Sequence, residues 1–168
     1  MSLTKARLVI FYGMGGLSDV GRHALQAALE KSEEIESITV LTKYPELLEE
    51  SNWNCGCPSG HSFTEEQKQK FTLEALQSYD GIESHFQGAT AVVSCLGNRQ
   101  AAIGGWEAHE GNAAVIQAMK KHGVKRLVVI SSICIGPKFS LHWIAGAMKL
   151  VFWLQARPAH KDLIDLEK

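Results

Sequence analysis

The segment Leu8 to Leu25, LVIFYGMGGLSDVGRHAL, restricts the possible folds more than any other stretch of the chain. An apolar, β-prone run (Leu8–Tyr12) meets a cluster of glycines (Gly13, Gly15, Gly16, Gly21) and passes directly into a segment with helical spacing. That order describes a strand ending in a tight turn that aims the N-terminus of the next helix at a phosphate, where unpaired backbone N–H groups and the helix dipole favour an anion. The glycines divide the work. One permits the turn, one lets backbone N–H groups approach a pyrophosphate without a Cβ in the way, and one lets the helix pack on the strand. The strand before and the helix after favour a dinucleotide-binding turn over a plain glycine-rich loop. The spacing is irregular, because Gly16 to Gly21 leaves four residues (Leu17–Val20) where the usual fingerprint leaves two. The longer turn expected from this spacing puts Asp19 near the phosphate position, where its carboxylate would repel the ligand unless it caps the helix.

The rest of the chain supports a single α/β domain over residues 1–168. Of these, 45% are hydrophobic and 21% charged, a balance that allows a real core, and the net charge is −1. No basic excess points to nucleic acid or an anionic membrane as a partner. No apolar run approaches the ~18 residues that span a bilayer. The four cysteines (Cys55, Cys57, Cys95, Cys134) are too few for a disulfide scaffold, so a reducing cytoplasm is the expected setting.

Apolar spacing predicts a helix over Val20–Ser32, and Ile38–Thr42 is a short β-branched strand, which completes a right-handed βαβ unit. Lys43-Tyr44-Pro45 ends that strand, and Glu46–Glu50 suits one helical turn. Residues 51–70 read as a surface excursion, crowded with turn formers at SNWNCGCPSG and with a helical turn at Thr64–Lys70. Further strands are expected at Phe71–Leu76, Ala89–Leu96 and Lys125–Ile130. Asp80 is a candidate cap for a helix over Gly81–Gln87, and a long helix covers Trp106–His122, ended by Gly123-Val124. The alternation predicts a Rossmann-like, doubly wound parallel sheet in three layers, α/β/α.

In such a sheet ligands bind beyond the carboxyl ends of the strands, where the strand order reverses. Four places then carry the candidate chemistry: the Gly13–Gly21 loop, Lys43, Gly97 with Asn98 and Arg99, and Ser131-Ser132. A site for NAD usually places a carboxylate just past the second strand for the ribose 2′-OH, and a site for NADP places a cation there for the 2′-phosphate. Thr42-Lys43 carries the cation, and the nearest acid, Glu46, lies beyond a proline, so the sign favours NADP. Ordinary surface solvation is the alternative role for this lysine. Arg22 has two roles open to it, support of a phosphate or exposure on the helix. Ser131 and Ser132 either touch the nicotinamide or a substrate, or simply satisfy the end of a strand. Cys55, Cys57 and His61 offer three ligands at an unusual spacing, where structural zinc needs four. No G-x-S-x-G elbow is present, which disfavours a hydrolase on this sheet.

With the Gly13 loop, Lys43-Tyr44-Pro45, VVSCLG (Val92–Gly97) and EGNAAVIQAMKKHGVKRLVVISS (Glu110–Ser132) in order, the chain resembles the atypical short-chain dehydrogenase/reductases. Within that group it looks most like the NAD(P)H-binding, NmrA-like branch that includes flavin reductase/biliverdin reductase B. The resemblance covers about Arg7–Ser132. It implies a Rossmann fold, NADP(H) as the cofactor, and activity ranging from a reductase to a redox-sensing binder without turnover. Taken together, the candidate cofactor-binding residues are Gly13, Met14, Gly15, Gly16, Gly21, Arg22, Lys43, Leu96, Gly97, Asn98, Ser131 and Ser132. Ser132 also matches the position of the group's serine at the edge of the active site.

The chain departs from the group's pattern in several respects. The group's G-x-x-G-x-x-G fits Gly13 and Gly16 and then requires a two-residue insertion before Gly21. The acid usually found after the third strand falls at Ala75. No tyrosine of the chain has a lysine four residues on, so the Tyr-x-x-x-Lys pair that hands over a proton in typical dehydrogenases is absent. Members of the group continue past the helix corresponding to Ala159–Glu167 into a sixth strand and a substrate-covering region. By that comparison the C-terminal strand or strands are missing here, or a partner completes the sheet. The apolar Ile144–Leu154 segment is a candidate surface for a second copy. The function expected is an NADP(H)-dependent reductase of a flavin-like or other planar acceptor, with a non-catalytic cofactor sensor or interaction module as the alternative.

Overall fold

The apolar run Leu8–Tyr12 lies within the central strand of a parallel sheet, and its burial on both faces explains why it does not alternate with polar residues. A computed structural model describes residues 5–14, 17–43, 45, 63–98 and 107–130, with only the backbone described at 13–14, 17–19, 97–98 and 107. Its strands are β1 (Ala6–Met14), β2 (Ile35–Thr42), β3 (Phe71–Ala75), β4 (Ala91–Asn98) and β5 (Leu127–Val129). Its helices are α1 (Leu17–Glu30), the short α2 (Glu65–Lys68) and α3 (Glu107–His122), with a 3₁₀ turn at Ile82–Phe86. The strands pair in the order β3-β2-β1-β4-β5, all parallel. This is the doubly wound, Rossmann-like arrangement the sequence predicts.

Successive residues of β1 point to opposite faces and so enter two different cores. Ile10 and Tyr12 join Leu25, Ala28 and Leu29 of α1 with Ile38, Val40 and Phe63. Val9 and Phe11 join Val115, Ala118 and Met119 of α3 with Ile82 and Phe86 of the 3₁₀ turn. The rings of Phe11 and Phe86 lie 5.9 Å apart, which fixes the turn to the sheet. Together α1, the sheet and α3 make the three layers. The order reverses between β1 and β4, because the chain winds outward through β2 and β3 before crossing to the other side.

The structure corrects the sequence reading at several places. Helix α1 begins at Leu17 instead of Val20, so Leu17–Val20 is the first helical turn and not a lengthened loop. Gly21 is no loop residue either; it lies inside the helix, packed on β1. Strand β4 continues through Gly97 to Asn98, past the expected stop. Asp80 does not cap a helix. The N-cap of the 3₁₀ turn is Gly81, at φ 76° and without a side-chain cap bond. Asp80 instead turns back to Ser78, whose Oγ accepts from the Asp80 N–H at 3.1 Å and donates to Asp80 Oδ2 at 3.3 Å. The excursion is not wholly on the surface, since Phe63 is buried and meets Phe71 edge-on at 5.7 Å. The helical turn expected after it is present at Glu65–Lys68, and Thr64 and Gln67 close its N-terminus with a reciprocal capping box. Expected features at Glu46–Glu50, Cys55–His61, Arg99–Gly105 and 131–168 lie outside the described residues.

Candidate functional site

Three of the four places singled out in the sequence reach the same edge of the sheet within the described residues. Strand β1 ends at Met14, α1 begins at Leu17, β2 ends at Thr42 next to Lys43, and β4 ends at Asn98. Met14 pairs with Asn98 across the switch point, so Gly13 on β1 stands against the two residues Leu96 and Gly97 on β4 just before the strand ends. The register is irregular there. Tyr12 pairs with Cys95 and Met14 with Asn98, which leaves one extra residue on β4. Such a bulge re-aims the backbone at the carboxyl end of the two strands that flank the switch point.

Only residues 15 and 16, both glycine, stand between the last residue of β1 and the first of α1. Since β1 ends at Met14 and α1 starts at Leu17, the N-terminus of α1, whose first N–H groups have no acceptor within the helix, follows the carboxyl end of β1. Gly21 lies one turn into the helix. A Cβ placed on it would be 2.7 Å from Tyr12 Cδ2 and 3.4 Å from Cys95 Cβ, so a side chain is excluded there by close helix-to-strand packing. Among the roles the sequence distributes over the glycines, Gly21 takes the packing one. Asp19 is the third residue of α1, in the first turn, where a carboxylate is favourable to the helix dipole.

The remaining candidates separate into those facing the edge and those withdrawn from it. Leu96 is buried, and its side chain enters the core on the α3 side, close to Gly111, so only its backbone is placed at the strand end. Arg22 is also buried, with its guanidinium carbon 5.5 Å above the Phe63 ring, which differs from the exposed helix residue considered in the sequence reading. Lys43 is half-buried just past β2, and its ammonium lies 4.1 Å from the ring centroid of Tyr79. Tyr79 was not singled out by its sequence position. No short motif marks it, and its placement depends on the turn between β3 and the 3₁₀ segment. Ala75, at the position where the resemblance expects an acid, closes β3 opposite Thr42 and is exposed.

Ser131 and Ser132 lie outside the described residues, as do Gly15, Gly16 and Arg99. The chain leading to the serines passes beside β4, where the Ile130 N–H donates to the Ser94 carbonyl at 3.2 Å. Cys95, on the α1 side of β4, is buried, and burial pushes its thiol up to about 11. At neutral pH it is a small apolar side chain and no nucleophile. Among the described residues no helix is long and apolar enough to cross a membrane.

A parallel sheet with reversed order, a glycine connection into α1 and a cation past β2 define a nucleotide-binding Rossmann-like domain. A family described as NAD(P)H-binding matches residues 15–164, and the chain belongs to it. Solved structures similar to it include a short-chain dehydrogenase/reductase from Veillonella parvula DSM 2008, with a TM-score of 0.61 at 13% identity, covering 98% of this chain and 62% of that one. The same bacterium's short-chain dehydrogenase/reductase in complex with NADP gives 0.57 at 12% identity, covering 98% and 65%. The oxidoreductase ylbE from Lactococcus lactis gives 0.51 at 15% identity, covering 96% and 63%. The chain therefore spans a little under two thirds of the length of these structures. It matches no curated protein.

Proposed function

We propose that this chain binds NADP(H) in preference to NAD(H) and orients the nicotinamide for hydride transfer to a flavin-like or other planar acceptor. The observation that carries the preference is Lys43: a cation stands directly past β2, and Thr42-Lys43-Tyr44-Pro45 contains no carboxylate for a ribose 2′-OH. The residues present fit a dinucleotide. The glycine connection is short, Gly21 lets α1 close on Tyr12, and the pairing of β1 with β4 shifts register beside it.

In this reading the N–H groups of Gly13, Met14, Gly15 and Gly16 and the N-terminus of α1 receive the pyrophosphate. Lys43 meets the 2′-phosphate, and the backbone of Leu96, Gly97 and Asn98 lines the path toward the nicotinamide. Ser131 and Ser132 border the reacting end. When bound, the cofactor supplies a hydride from its nicotinamide C4. The chain has no Tyr-x-x-x-Lys pair, so solvent provides the proton and the protein's contribution is orientation. This chemistry suits the NmrA-like, flavin-reductase-like branch.

The absent Tyr-x-x-x-Lys pair also favours a second reading, a cofactor sensor without turnover. Following NADPH absorbance with a panel of flavins and quinones separates the two. Acceptor-dependent oxidation supports the reductase, and saturable binding with no oxidation across the panel supports the sensor.

A further inference from the structure

We infer that Tyr79 is a positioning residue for Lys43: its ring holds the lysine ammonium at the carboxyl end of β2 and thereby strengthens discrimination between NADP(H) and NAD(H). This rests on the cofactor reading above. The ammonium lies 4.1 Å from the ring centroid, well within cation–π range.

Two sets of contacts hold the ring itself. The Leu76 N–H donates to the Thr42 carbonyl at 2.7 Å, which ties the chain leaving β3 to the end of β2, and the Ser78–Asp80 bonds tighten the turn around Tyr79. On the other side α3 comes close because residue 111 is glycine: a Cβ there would stand 3.0 Å from Tyr79 Cζ. The ring is therefore wedged between α3 and Lys43.

The chemistry of the pair suits an anion. A carboxylate partner would neutralise the lysine before a phosphate arrived, whereas an aromatic ring localises the ammonium and leaves its positive charge intact. A lysine on an otherwise open strand end must give up rotamer freedom when it binds, and a docked ammonium has less to give up. The benefit falls only on a ligand that carries the extra phosphate.

The test measures Kd for NADPH and NADH by cofactor fluorescence in the wild type, Lys43→Met, Tyr79→Phe, Tyr79→Leu and the Lys43→Met/Tyr79→Leu double variant. Tyr79→Phe should retain the wild-type ratio. Tyr79→Leu should weaken NADPH by about three- to fivefold, leave NADH unchanged, and have no further effect in the Lys43→Met background. Fluorinated phenylalanines at position 79, which keep the ring's shape while draining its face of negative potential, should lower the NADPH affinity stepwise. They serve as the folded comparison if Tyr79→Leu does not fold. Equal weakening of both cofactors by Tyr79→Leu, a loss that persists without Lys43, or indifference to fluorination would overturn the inference. If Lys43→Met leaves the ratio unchanged, the cofactor reading fails with it. If Lys43→Met collapses the ratio and the Tyr79 series does not, only the role of Tyr79 fails.

Discussion

Gly21 of α1 stands so close to Tyr12 of β1 that a Cβ on the glycine would lie 2.7 Å from the ring's Cδ2. Tyr12 is itself buried and cannot yield by moving into solvent. Gly21→Ala would gain about 1 kcal/mol of helix propensity and lose more than that to overpacking, which costs roughly 1–3 kcal/mol. Net destabilisation in urea unfolding is the expected outcome. A stabilised variant would show that α1 does not close on β1 in this way.

The Phe11–Phe86 pair makes a similar claim on the opposite face. Phe86 is fully buried, so Phe86→Ala should destabilise by about 3–5 kcal/mol. A loss under about 1 kcal/mol would mean that the 3₁₀ turn is not part of the core. Denaturant midpoints at constant m-value give the comparison.

Cys95 adds a pH dependence with a definite sign. Its thiol is pushed from 9.0 to about 11 by burial, so above pH 9 the unfolded chain loses that proton while the folded one keeps it. Stability should be unaffected by this group below pH 9 and fall between 9 and about 11, by an order of 2–3 kcal/mol once both states are ionised. Cys95→Ala, compared with the wild type at about pH 8 and about pH 10.5, should show a flatter profile by most of that amount. Parallel pH profiles would contradict the burial.

Lys43 gives a dependence on salt. If its ammonium meets the 2′-phosphate, NADPH affinity should drop by about tenfold in Lys43→Met at low ionic strength. NADH affinity should hold. Raising the salt should narrow the difference between the wild type and the variant for NADPH, as screening weakens the ion pair. A difference independent of salt would argue for packing instead of charge.

Most of the fold is legible in the sequence because a parallel sheet buried on both faces writes itself as apolar runs. Val9–Tyr12 and Val92–Leu96 are such runs, and Gly13, Lys43 and Gly97 stand at or beside the strand ends where the candidate site lies. What escapes is set by tertiary contact. Gly21 looks like the end of a loop because glycine is a poor helix former, yet the proximity of Tyr12 makes it necessary inside α1. Arg22 looks exposed by its charge, and only the return of Phe63 to the core shows why it is buried. Asp80 has the chemistry of a cap, but a local bond to Ser78 competes for it. Tyr79 reaches Lys43 through pairing of β2 with β3, a relationship with no local signature.

Equilibrium titration of the purified chain with NADPH, followed by cofactor fluorescence alongside NADH, tests the central claim most directly. Saturable binding with NADPH the tighter ligand, and loss of that preference in Lys43→Met, is the predicted result. Absence of saturable NADPH binding up to about millimolar cofactor, where even weak specific sites of roughly −4 kcal/mol begin to fill, would contradict it.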